Sequence, residues 1–342
     1  MRKLDAESFL LGLKMKGVVP VNRTKGGVWQ RPEGATDLDA LTYGTDELYM
    51  TYDCTERIDD PHASFRISGT AYTVTIGEQS WTKAADEEFV YSFTSSDGSY
   101  PLVHIKADGN ITSFSFTAYT VDGRSYTAQA NPVIERVGDV CNFGVSGCIW
   151  ASYYVEREKV ARHKCTNPYY GMNYVWQYCI SLQSLDLSGW DTTNWAVTNL
   201  SQTWYCCTSL QSLDLSGWDT TNWAVTSLEM TSAQMTCLTY FDISCLDMSK
   251  ITKFGNADYS AMQYSIETFK CGESNYGKFA PTGYVYLKLN NPRKISRASL
   301  LEIGKMLGTV TTAHYLVIGS SASAKLTEAE KAEITAKGWT IS

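Results

Sequence analysis

The stretch SLQSLDLSGWDTTNWAVT fills residues 181–198 and recurs letter for letter at 209–226, a spacing of 28. Another step of 28 reaches Cys237-Leu238-Thr239-Tyr240-Phe241-Asp242-Ile243, and a further one reaches Ser265-Ile266-Glu267-Thr268-Phe269-Lys270-Cys271. Three apolar columns run through the four copies: Leu182/Leu210/Leu238/Ile266, Leu185/Leu213/Phe241/Phe269 and Leu187/Leu215/Ile243/Cys271. This is the LxxLxL spacing of a leucine-rich repeat. Neighbouring side chains of a strand point to opposite faces, so Leu185 and Leu187 turn inward and Asp186 outward. One coil cannot bury its apolar edge alone, and stacked neighbours close it from both sides. The spacing therefore predicts a solenoid over 133–283, with degenerate first coils in 133–180.

The rest of each copy fits a coil. Ser188-Gly189-Trp190-Asp191 is turn chemistry after the strand. Val197, Leu200, Trp204 and Cys207 follow at helical spacing, as do Val225, Leu228 and Met235, which predicts short helical or 3-10 return segments. Taken together, SLQSLDLSGWDTTN…VTNLSQTWYCCTSL resembles the BspA-like leucine-rich repeats of bacterial surface proteins and mycoplasma lipoproteins. Trp195-Ala196 reads as a two-residue insertion before the Val-Thr-Asn of that pattern, and Trp204 stands where the family has Phe. The resemblance implies a repeat solenoid used for adhesion.

The flanks read differently. Leu48–Tyr52, Ala71–Ile76, Phe89–Phe93 and Ile111–Phe116 alternate at period two between turns such as Ser95-Ser96-Asp97-Gly98, so 46–132 is expected to be a β-sandwich-like domain of immunoglobulin type. Residues 284–342 read strand, helix, strand, helix. Ser299-Leu300-Leu301-Glu302 reads as a capping box opening a helix through Leu307, and Thr327-Glu328-Ala329-Glu330 as a second box, with Gly338 as its stop. This α/β unit is expected to cap the open end of the repeats. The fold class is thus mixed β and α/β. Its ending, LTEAEKAEITAKGWTIS, resembles the tails of repeat-bearing bacteriophage structural proteins.

Residues 1–45 are read as an N-terminal docking arm. The apolar core there is only Phe9-Leu10-Leu11-Gly12-Leu13, followed by Lys14 and Lys16, too short for a secretory signal. The product is accordingly expected to be made and kept in the cytoplasm, or to leave the cell by a route other than secretion. No stretch of apolar residues is long enough for a spanning helix, so membrane insertion is not expected. The net charge of −7, from 29 Lys plus Arg against 36 Asp plus Glu, comes with no basic run, which argues against nucleic acid. The 10 Cys form no CxxC pair and the four His no HExxH pattern, so the thiols are expected to be reduced, with no metal and no cofactor. Nothing matches GxSxG, a P-loop or GxGxxG, and Asp59-Asp60 before Pro61 reads as a turn. The chain is expected not to be an enzyme.

Two sets of residues are candidates for ligand binding. Asp186, Asp214 and Asp242, with Tyr240 beside the last, should form an outward column. Carboxylates about 5 Å apart repel by roughly 1 kcal/mol per pair in water. They either form a ligand or cation surface or accept local hydrogen bonds that order the coil. The chain also carries 10 Trp and 22 Tyr, more rings than a core readily absorbs. Trp190/Trp218 and the inserted Trp195/Trp223 should form two indole ladders, either exposed to sugars and protein partners or buried at the core edge. Tyr169, Tyr170, Tyr174 and Tyr178 would widen such a patch. The expected function is a non-enzymatic virion structural or appendage protein of a bacteriophage, on tail or head fibre. Its N-terminal region would bind other virion proteins, with homo-oligomerisation open, and its repeats would adhere to a host-surface protein or glycan. The alternatives are a bacterial cell-surface adhesin and a carbohydrate-active enzyme carrying a repeat module.

Overall fold

The computed structural model describes residues 23–25, 28–55, 60–109, 111–121, 123–139, 152–161, 172–193, 195–229, 231, 234–254, 262–282 and 285–342. The first 22 residues of the expected docking arm, together with Tyr169 and Tyr170, lie outside them. The chain divides into two compact units, Met1–Thr166 with Val175–Trp190, and Asn167–Tyr174 with Asp191–Ser342.

Unit 1 is almost entirely β. It begins with a hairpin, β1 (Thr24–Lys25) and β2 (Val28–Trp29), followed by β3 (Glu47–Tyr52), β4 (His62–Ser68), β5 (Tyr72–Ile76), β6 (Gln79–Lys83), β7 (Glu88–Ser92), β8 (Leu102–Ala107) and β9 (Ser113–Phe116). A second hairpin, β10 (Tyr119–Val121) and β11 (Arg124–Tyr126), leads to β12 (Val133–Asp139), β13 (Arg157–Ala161) and β14 (Ser184–Leu185). The strands form a seven-stranded sheet in the order β14-β13-β12-β3-β8-β5-β6 and a three-stranded sheet β7-β4-β9. Alternation does the sorting. Tyr72, Val74 and Ile76 of β5 are buried while Thr73 and Thr75 are half-exposed. The buried row continues through Val103 and Ile105 to Leu48 and Met50. Across the core the second sheet contributes Phe65, Phe89 and Phe114, with Phe65 and Tyr72 joining the two sheets at a ring separation of 6.3 Å. Gly138, at φ 147°, lets β12 close on β3, because a Cβ there would collide with the Glu47 carbonyl.

The expected solenoid over 133–283 is corrected here. Its first strands, β12, β13 and β14, belong to the seven-stranded sheet of unit 1, and the later copies of the repeat form a small sheet of their own. Leu185 pairs with Glu158 and is half-exposed. Its supposed equivalent Leu213 is buried and pairs with Phe241. The physical reason is anchorage: the Asp186 N–H donates to the Glu158 carbonyl, and the Trp190 indole Nε1 donates to the Val160 carbonyl at 2.7 Å. Val133–Asp139 and Arg157–Ala161 are therefore sheet strands and not degenerate coils.

In unit 2 the remaining copies supply β15 (Ser212–Asp214), β16 (Tyr240–Asp242) and β17 (Thr268–Lys270), a parallel three-stranded sheet. Here the spacing of 28 does set the register: Leu213, Phe241 and Phe269 are consecutive Cα partners and all are buried. The return segment over residues 197–207 is not helical. Residues 201–206 are turns in which Gln202 and Cys206 adopt φ 60° and 64°, values that break a helical ladder. Isolated parallel bridges join Asn199 to Ser227 and Ser227 to Lys253.

The C-terminal portion holds β18 (Val285–Lys288), α1 (Arg297–Met306), β19 (His314–Val317), α2 (Gly319–Ser323), α3 (Glu328–Ala336) and β20 (Trp339–Ile341). The strands make a second parallel sheet, in the order β18-β19-β20, with Leu287, Leu316 and Ile341 in register. The final strand was not expected from the sequence. The cap of α1 is Ser296, whose side chain accepts from the Ser299 N–H, and not Ser299 as expected. Glu302 instead turns to accept from the N–H groups of Cys271 and Gly272 and from the Tyr276 hydroxyl. The second box forms as read: Glu330 Oε2 accepts from the Thr327 N–H at 2.7 Å, and the Thr327 hydroxyl accepts from the Glu330 N–H. Thr327→Ala removes an orphan donor's partner and is expected to cost about 1 kcal/mol, read as a shift in the urea midpoint.

Candidate functional site

The outward positions of β15–β17 lie in two rows set by the parallel register, Ser212–Tyr240–Thr268 and Asp214–Asp242–Lys270. The buried Leu213–Phe241–Phe269 row beneath fixes which side chains face out, since strand neighbours alternate. Asp214 is exposed and accepts from the Ser216 N–H at 2.9 Å. Asp242 is only 3% exposed. It accepts from the Ser244 N–H at 2.9 Å and the Tyr240 hydroxyl at 3.0 Å, with the Lys270 ammonium 3.8 Å away. That ammonium also lies 5.2 Å from the centre of the Tyr240 ring. The Tyr240 hydroxyl, followed by the Asp242 carboxylate, holds the Lys270 ammonium above its ordinary value. The phenol of Tyr240 is itself pushed up, first by burial and then by Asp242.

Asp186 belongs to unit 1. It sits at the edge of the unit 1 sheet, accepts from the Ser188 N–H at 3.0 Å and hydroxyl at 2.6 Å, and has the Lys159 ammonium at 3.7 Å. Burial raises the Asp186 carboxyl, but the Ser188 bonds and the nearby cations outweigh it and hold the group below the usual carboxylate range. Its contribution to stability is present at neutral pH and is lost as pH falls through that lowered value. Within unit 2 the row is Asp214 and Asp242, continued by a lysine. Lys270 occupies the same column in the fourth copy, so the spacing of 28 itself carried the missed signal.

The indoles are inside. Trp195 and Trp223 are 2% and 3% exposed, and their rings stack 6.3 Å apart at an interplanar angle of 6°. Trp218 packs 5.4 Å from Trp223 and 6.4 Å from Trp204. Of the two readings of these ladders, the structure takes the core one, and neither Trp195 nor Trp223 offers a free face to a sugar. Trp190 and Trp218 are likewise buried. Tyr174 and Tyr178 are half-buried, both with positive φ.

Other chemistry is sparse among the described residues. No group of three His, Cys, Asp or Glu there could hold a metal ion. No helix among them is long and apolar enough to cross a membrane. Cys54, Cys179, Cys206, Cys207, Cys237, Cys245 and Cys271 are free thiols. Burial pushes Cys206, Cys245 and Cys271 up to about 12, so these remain protonated at neutral pH and are poor nucleophiles. No family model matches the chain, and no curated protein and no solved structure matches it.

Proposed function

We propose that the chain is a non-enzymatic structural or appendage protein of a bacteriophage virion, and that the outward face of β15–β17 adheres to a host-surface glycan. The observation that carries the adhesion reading is the in-register row Asp214–Asp242–Lys270 with Tyr240 beside it. Carboxylate, ammonium, phenol and the Ser212 and Thr268 hydroxyls stand on one plane over a buried apolar row. Sugar hydroxyls both donate and accept, and such a mixed surface meets both needs. The virion assignment rests on the resemblance of the ending LTEAEKAEITAKGWTIS to the tails of phage structural proteins.

Two measurements test this. Mass spectrometry of purified particles should find the chain; its recovery from the bacterial envelope instead would favour the cell-surface adhesin. On an array of bacterial envelope polysaccharides, Tyr240→Ala is expected to weaken binding roughly tenfold, the size of one hot-spot contact. Asp214→Asn, on the proposed face itself, supplies the opposing outcome. If it lowers the melting temperature yet leaves array binding intact, the carboxylate only orders its turn and the surface reading fails.

A further inference from the structure

A cleft of about 700 Å³ opens on the outer face of the seven-stranded sheet in unit 1, away from the buried Leu48–Ile105–Val74 row. That volume lies in the range of about 300–1,000 Å³ usual for small-molecule sites. Its floor is a cross-strand row in register, Tyr49 of β3 beside His104 of β8 beside Thr75 of β5. The Tyr49 and His104 rings stack 4.2 Å apart, 2° from parallel. The walls are the β5–β6 turn, with Glu78 and Gln79, and the segment carrying Asp97 and Tyr100.

Three features restrict what enters. First, among the described residues the lining holds two carboxylates and no lysine or arginine, which disfavours phosphates, sulfates and acidic sugars. Second, His104 Nε2 is buried and has no hydrogen-bond partner among the described residues. A buried polar atom left without a partner is costly, so it is a reason to look for a ligand atom there. Burial holds the imidazole below its ordinary value against the pull of Glu47, so the ring is neutral at pH 7 and Nε2 is either a donor or a bare lone pair. A hydroxyl satisfies either form; a quaternary ammonium satisfies neither. Third, Asp97 is fixed in place by the Tyr91 hydroxyl at 3.0 Å and the Thr94 N–H at 2.7 Å, which preorganises its remaining acceptor sites.

We infer that this cleft is a saccharide site for a neutral hexose unit, with Tyr49 and Tyr100 offering ring surface, His104 Nε2 meeting a sugar hydroxyl, and Asp97 and Glu78 accepting from others. The inference goes beyond the proposed function and does not depend on it, because no residue of β15–β17 takes part.

The test is a titration of the full chain, labelled with ¹⁵N-histidine, with the methyl glycosides of glucose, galactose and mannose. Choline and inorganic phosphate serve as charged comparisons. At least one hexoside should move the His104 ring signal saturably, identified by its loss in His104→Phe. His104→Phe keeps an aromatic ring on Tyr49 but removes the nitrogen, and Tyr100→Ala alters only the wall. Each should weaken hexoside binding roughly tenfold by calorimetry, the cost of one lost contact. Tyr240→Ala should leave it unchanged, which separates this site from the repeat face. The inference is overturned if the His104 signal ignores all three hexosides, if choline or phosphate alone moves it, or if both cleft variants bind the hexoside as the parent does.

Discussion

Phe241→Ala is expected to lower the stability of unit 2 by about 3–5 kcal/mol, the range for emptying a buried phenylalanine site. The ring is 1% exposed. It belongs to the middle strand of β15–β17, with Leu213 on one side and Phe269 on the other, and meets the Phe269 ring edge-on at 6.0 Å. A void at the centre of a short sheet cannot be filled from one side without breaking the register on the other, so the site should relax little. Phe241→Leu keeps most of the volume and should cost about 1 kcal/mol. Urea unfolding followed by tryptophan fluorescence measures both. Two units can unfold in separate transitions, so the change is taken from the transition that moves. A loss below about 1 kcal/mol for Phe241→Ala would mean that this row is not a packed ladder. The variant also bears on the adhesion surface, because the inward row determines which way Tyr240 and Asp242 point.

That row was legible in the sequence because one spacing governs it. Leu213, Phe241 and Phe269 stand 28 apart, and they are Cα partners. The fate of the first copy was not legible. Residues 181–198 and 209–226 are the same eighteen letters, yet one places Ser184–Leu185 on the edge of the unit 1 sheet and the other places Ser212–Asp214 in a sheet of its own. What differs is the preceding strand, Arg157–Ala161, whose charged residues do not read as a coil. Identical local sequence cannot encode that difference; the neighbouring chain decides it. The same limit hid β4, whose residues HASFRIS are buried almost throughout without apolar alternation. It also hid the cleft, because Tyr49, His104 and Asp97 come from separate segments and no spacing links them. The insertion at Trp195 and Trp223 was read as open to either surface or core. Stacking at 28-residue register gives each indole a partner ring, which favours burial over solvent.

The second large effect concerns the charges that replace apolar residues between β12 and β13. Arg136 and Glu158 are Cα partners across the parallel pair, and both are buried. Arg136 Nε donates to Glu158 Oε2 at 2.8 Å, and the Trp176 indole Nε1 donates to the same oxygen at 3.1 Å. Arg136→Met keeps much of the packed stem but leaves a buried carboxylate without its cation, which is expected to cost about 3–5 kcal/mol. Glu158→Gln in the parent takes the paired carboxylate charge from a buried guanidinium and should be costly as well. The double variant Arg136→Met/Glu158→Leu removes both charges, and should recover most of the loss, because two apolar side chains of similar volume need no partner. A buried pair is weakly screened, so the single-variant loss should hardly change with added salt, unlike that of the exposed Lys294–Glu267 pair. If Arg136→Met and the double variant are equally unstable, packing and not charge carries the effect. If the double variant folds but exchanges its β13 amides faster, the pair has a further role in fixing register. A slip of one residue would turn Arg136 and Glu158 to opposite faces of the sheet and leave two buried charges unpaired, an error an all-apolar pair would not penalise. Register at β13 is also register at β14, so the ion pair determines where the first copy of the repeat docks.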